Sequence, residues 1–114
     1  MNRYEEFTKF REKMNKKLLD QGNLEIKRFF ALDDRAYQAG ALDKKTKELM
    51  GLVASIVLRC DDCISYHVIQ AKKTGVTNDE LFESFSIALV VGGSIVIPHL
   101  RRAVELLEEL GKES

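Results

Sequence analysis

The sequence predicts an all-α fold, a single-domain bundle of about six helices with a Cys-x-x-Cys at the start of the fourth. Three observations carry this. Apolar residues recur at three- and four-residue steps along most of the chain, strand-like alternation is nowhere sustained, and only one proline occurs. At 114 residues with 45% apolar content, the chain is the size of one domain and apolar enough to build a core, so residues 1–114 are expected to form one unit. No internal repeat, low-complexity tract or linker interrupts it.

The elements follow in order. Tyr4, Phe7, Phe10, Met14 and Leu18 give a first helix ending near Gly22. Asn23 suits the cap of a second helix, whose inner face is expected to carry Ile26, Phe29, Phe30 and Tyr37 and which ends near Gly40. Asp43 opens a third helix running to about Arg59. Its segment Leu49–Leu58 is apolar except for Gly51 and Ser55, which predicts burial on nearly all sides. A fourth helix begins at Cys60 or Asp61, carries Ile64, His67, Val68 and Ala71, and stops at Gly75 after Lys72-Lys73, a basic end that suits the helix dipole. Thr77-Asn78-Asp79-Glu80 has the form of a capping box for a fifth helix ending at Gly92-Gly93, and an amphipathic last helix runs from about Pro98 to Leu110. The uncharged run Phe85–Val91, followed by Ile95-Val96-Ile97, exceeds what so small a monomer can hide, so homo-oligomerisation is expected.

Charge excludes several partners. Lys plus Arg and Asp plus Glu balance at 18 each with no long single-sign block, which argues against nucleic acid or an anionic membrane surface. Leu81–Leu100 is the one segment long enough to raise a membrane question, and Gly92-Gly93-Ser94 and Pro98 count against a continuous span. The charged start Met1-Asn2-Arg3-Tyr4-Glu5-Glu6 lacks the apolar core of a secretory signal, so a cytoplasmic location is expected. In that reducing compartment a C-x-x-C reads as redox or metal chemistry.

The informative stretch is Glu48 through His67. A helix starting at Cys60 or Asp61 puts the two cysteine Cα atoms on the order of 5 Å apart, within disulfide range. His67, four residues after Cys63 and seven after Cys60, falls on the same helical face and is placed to take a thiol proton. A helix N-terminus and a nearby imidazolium both favour the thiolate; Asp61 and Asp62 oppose it, and Arg59 partly offsets them. Glu48 lies in the apolar third helix and as a buried carboxylate asks for a partner. It sits roughly 18 Å along a straight helix from Cys60, so it reaches the thiols only if the fourth helix folds back, with His67 then nearest, through water.

Glu48, eleven intervening residues, Cys60-x-x-Cys63, three more and His67 resemble the signature of the alkylhydroperoxidase D-like branch of the carboxymuconolactone decarboxylase family. The similarity includes the lead-in Ala41-Leu42-Asp43-x-Lys45-Thr46-Lys47-Glu48 and the Gly-Gly after the fifth helix. The resemblance implies an all-helical subunit assembling into trimers or hexamers and reducing a hydroperoxide or disulfide substrate without a cofactor. It implies a Glu48–His67 proton relay, with Cys63 attacking and Cys60 resolving. A thioredoxin-like analogy reverses the two cysteines. The electron donor in this scheme is a thiol partner, either a lipoyl protein or a thioredoxin-like one. The hydroperoxidase pattern has a histidine before its second cysteine; this chain has Asp62, which removes a proton donor and adds a negative charge. The decarboxylase branch acts on a lactone and lacks the cysteine pair.

The competing reading is a helical oligomer without turnover that binds a metal or small ligand through Cys60, Cys63 and His67, with His99, Glu48 or water as a fourth zinc ligand. The second ligand pair usual in small zinc domains is absent from the sequence. His99 itself reads as a helix-start or surface residue, Tyr66 as packing, and Glu105, Glu108 and Glu109 as a solvated helix face.

Overall fold

The computed structural model describes residues 1–113. Its elements are α1 (Arg3–Asp20), α2 (Leu24–Ala36), α3 (Lys44–Val57), α4 (Asp61–Lys73), α5 (Asn78–Gly92), a 3₁₀ turn at Ser94–Val96, and α6 (Ile97–Glu113), with no strand among the described residues. The starts are set by side-chain caps. Asn2, Asn23 and Asp43 each accept the backbone N–H three residues on, at 2.7–3.0 Å, and Thr77 and Glu80 exchange hydrogen bonds in a complete capping box.

α3 packs against both α4 and α5, and α4 also packs on α6. Leu52 and Ile56 of α3, Ile64 and Val68 of α4, Leu81 and Phe85 of α5, and Leu106 of α6 form the core. Removing such a side chain to alanine costs about 2–5 kcal/mol, so this four-helix contact is what fixes the site's frame. α1 lies across the surface and is tied at its start to α6, where Arg3 Nε donates to Glu105 at 2.7 Å and the Tyr4 N–H donates to Glu109 at 2.8 Å. Glu105 and Glu109 are therefore anchors rather than only a solvated face.

Four expectations about faces and ends change. α3 is not buried on nearly all sides: it packs mainly on α4 and α5, so Met50 and Leu58 lie open and Leu58 is 76% exposed. α3 also ends at Val57 rather than Arg59, because Arg59 turns into the left-handed region at φ 59°. α2 ends at Ala36, well before Gly40, and the Lys47 ammonium caps its C-terminus by donating to the Ala36 and Gln38 carbonyls. On α2, Ile26, Phe30 and Tyr37 are half-buried but Phe29 is 65% exposed. At about 100° per residue Phe29 falls some 60° off the stripe that the other three share. α1 buries none of its side chains fully, and Phe10 and Leu18 stay exposed along its apolar stripe. No helix among the described residues is long and apolar enough to cross a membrane.

Candidate active site

The Cys-x-x-Cys sits at the N-terminus of α4, as its spacing predicts. Cys60 is the N-cap: it has extended backbone and its Sγ accepts the Cys63 N–H at 3.2 Å. The two sulfurs are joined as a disulfide with Cα atoms 5.3 Å apart. The side chains differ in access. Cys60 is half-buried, whereas Cys63 is exposed and opens into a cavity of about 410 Å³. That cavity is walled by Phe10, Met14 and Leu18 of α1 on one side and by Cys63, Tyr66 and His67 of α4 on the other. The stripe of α1 that the core leaves open is this wall.

Because α4 folds back along α3, His67 comes level with Glu48. Glu48 is 1% exposed, and its Oε2 lies 3.4 Å from His67 Nδ1. The contact is direct, with no room needed for the intervening water expected from the sequence. The other ring nitrogen, Nε2, lies 3.4 Å from the Tyr37 hydroxyl at the end of α2. An imidazole held this way has one ring nitrogen beside a carboxylate and the other beside a phenol. Burial, then the Glu48 charge, holds the Tyr37 phenol above its ordinary range, so it remains a proton donor at neutral pH. Tyr66 stands edge-on to His67 with ring centroids 5.1 Å apart, under the Arg11 guanidinium 4.3 Å from its own centroid. Its phenol is raised by burial and by Glu48, with Arg11 opposing.

Gly51 makes this arrangement fit. A Cβ there would collide with the Tyr37 hydroxyl and come within 2.7 Å of His67 Cε1 and 2.9 Å of Nε2. Sequence reasoning missed Gly51 and the role of Tyr37. The only available signal was a glycine inside an otherwise apolar helix, which marks a close approach without naming the neighbour.

His99 lies in the first turn of α6, in keeping with its helix-start reading, and it has a partner that the sequence did not reveal. Its Nδ1 lies 2.8 Å from Asp61 Oδ1, and Arg102 Nη1 donates to Asp61 Oδ2 at 3.2 Å. Four of the sequence-chosen residues, Glu48, Cys60, Cys63 and His67, thus gather on α3 and α4, and His99 stands apart on α6. No group of three or more His, Cys, Asp or Glu side chains among the described residues is placed to hold a metal ion.

A family model of carboxymuconolactone decarboxylases matches residues 26–106, which spans α2 to α6 and every residue of the Glu48–Cys60–Cys63–His67 group. The chain belongs to the carboxymuconolactone decarboxylase family. Within it, the fold is shared with a Thermotoga maritima protein of known crystal structure, 59% identical, at TM-score 0.91 over 95% of each chain. A second crystal structure of the same Thermotoga maritima protein (TM-score 0.88, 94% of this chain and 91% of that one) describes it as a family protein for which a part in the antioxidative response has been suggested. A family protein from Legionella pneumophila is 30% identical, with TM-score 0.82 over 98% of this chain and 97% of that one. An uncharacterized protein of the cox locus of Paracoccus denitrificans is 33% identical over 72% of this chain and 74% of its own length. α1, which walls the cavity, lies outside the segment that defines the family.

Proposed function

We propose that this protein is a dithiol/disulfide oxidoreductase of the alkylhydroperoxidase D-like branch, reducing hydroperoxides in the cytoplasm with electrons from a lipoyl protein or thioredoxin-like thiol donor. The observation that carries the reading is the buried Glu48–His67 pair opening, through His67, into the same cavity as Cys63. A carboxylate beside an imidazole beside a reactive thiol is the arrangement that general-base activation of a nucleophile requires.

In this scheme the Cys63 proton passes toward His67, and Glu48 stabilises the imidazolium that forms. The thiolate attacks the distal peroxide oxygen; the O–O bond breaks, the alcohol leaves with a proton, and Cys63 becomes a sulfenic acid. Cys60 then attacks that sulfur, expelling water and forming the disulfide, and the thiol donor returns two electrons and two protons. Access supports this order: Cys63 faces the cavity, whereas Cys60 is half-buried with its sulfur against the helix N-terminus. The antioxidative part suggested for the Thermotoga maritima relative is in keeping with this chemistry.

The deciding measurement is the intact mass of the reduced protein after one equivalent of an alkyl hydroperoxide, with Cys60→Ser and Cys63→Ser alongside. The parent is expected to lose two hydrogens, Cys60→Ser to stop as a sulfenic acid on Cys63, and Cys63→Ser to stay unoxidised. A parent whose mass does not change while both thiols still alkylate overturns the peroxidase reading.

A further inference from the structure

A second cluster of polar side chains forms around Asp61, the residue that directly follows Cys60. Asp61 opens α4 directly after Cys60, and its carboxylate is held by His99 and Arg102, both on α6. The contacts join residues 38 and 41 positions apart, Asp61 and Arg102 are partly exposed, and none of the three lines the cavity into which Cys63 opens. The neighbouring Asp62 lines the cavity instead and has no ion-pair partner among the described residues. Two carboxylates thus lie between the two cysteines in sequence, and α6 supplies a guanidinium to one of them.

We propose that the Asp61–His99–Arg102 cluster sets the redox equilibrium of the Cys60–Cys63 pair by fixing the net charge beside it, with Arg102 as the tuning residue. The inference rests on the dithiol reading above. On reduction by dithiothreitol the S–S bond breaks, the pair takes up two electrons and two protons, and dithiothreitol becomes its cyclic disulfide. The reduced pair gains stability to the extent that one thiol ionises. A carboxylate next to Cys60 disfavours that second anion, and a guanidinium on the carboxylate offsets the penalty. Asp61 therefore favours the disulfide and Arg102 the dithiol. A clamp that merely held the cysteines in register would behave otherwise, because removing either partner would release the same contact and move the equilibrium the same way.

The test is to equilibrate the full chain with mixtures of reduced and oxidised dithiothreitol at pH 7 and read the reduced fraction by alkylation and mass. Arg102→Ala is expected to lower the equilibrium constant for reduction by roughly 3-fold, and Asp61→Asn to raise it by a similar factor. Arg102→Lys, which keeps the charge, is expected to stay near the parent. Both shifts should shrink in 1 M salt, where the Debye length falls to about 3 Å. Shifts of Arg102→Ala and Asp61→Asn in the same direction would overturn charge tuning in favour of a mechanical clamp, and so would no shift in either. A parent whose disulfide neither forms nor reduces would instead overturn the dithiol reading itself, and this inference with it.

Discussion

At the scale of single residues, the site depends on one absent side chain as much as on those present. Gly51 leaves the space that the Tyr37 hydroxyl and the His67 ring occupy, so a methyl there must push both aside. Gly51→Ala is expected to cost about 1–3 kcal/mol as overpacking and to slow hydroperoxide-driven disulfide formation by about 10-fold or more, as His67 loses its place against Glu48. Adding Tyr37→Phe removes the hydroxyl that the methyl strikes, and should recover part of the stability while leaving the His67 collision. Rapid-mixing rates and denaturant midpoints for the single and double variants check this; equal losses in both would mean that the hydroxyl is not the obstacle. Cys60, Cys63 and His67 were legible in sequence because fixed steps along one helix relate them, and Glu48 because its spacing to them matches the signature that the chain resembles. Tyr37 and Gly51 were not, because no spacing rule links the end of α2 to the middle of α4. His99 was hidden for the same reason, since its partner Asp61 comes from a different helix.

At the scale of elements, helix starts were legible and ends less so. Asn23, Asp43 and Thr77 announce their helices because each side chain serves its own backbone three residues on. The end of α2 depends instead on Lys47, a residue of the next helix, which no local pattern reveals. The caps also carry a pH dependence whose sign is fixed. Asp43 is held below its ordinary range by its hydrogen bonds to Thr46, and Glu80 by the Thr77 N–H and then by Lys45. Between the folded and unfolded values the unfolded chain binds more protons, so stability rises with pH there. The contribution is fully present above about pH 4.5 and is lost as pH falls through the depressed folded values. Unfolding midpoints measured from pH 6 down to pH 3 should therefore fall. In Glu80→Gln, which keeps the capping box but removes the titrating carboxylate, the acid-dependent part of the fall should be smaller. An equal acid dependence in that variant would place the effect on other carboxylates.

At the scale of the whole molecule, the chain leaves more apolar surface open than a monomer of 13.0 kDa should. α3 and α5 enclose between them a groove of about 940 Å³ lined by Met50, Val53, Val57, Ile87 and Val91, and beyond it Val90 is 83% exposed. The apolar density of these two helices was plain in the sequence, but its side was not: periodicity counts apolar residues and cannot tell which face a neighbour in the same chain will cover. Half of α3 faces the core, and the other half has the composition of a core with nothing on it. The occupant we propose is a second copy of the chain, giving the trimer or hexamer expected from the family resemblance. Ile87, 57% exposed on the groove's α5 wall, is the position that separates interface from surface. A charge there is expected to leave the single chain folded, since little of the side chain is packed, while a like charge buried against each neighbour breaks the assembly. Sedimentation of the parent should give three or six times 13.0 kDa, and Ile87→Arg should give one, with an apparent unfolding midpoint that no longer rises with protein concentration. If the parent itself sediments as a monomer with a concentration-independent midpoint, the groove is not an interface between copies, and its apolar lining has to be explained as a binding site for something other than this chain.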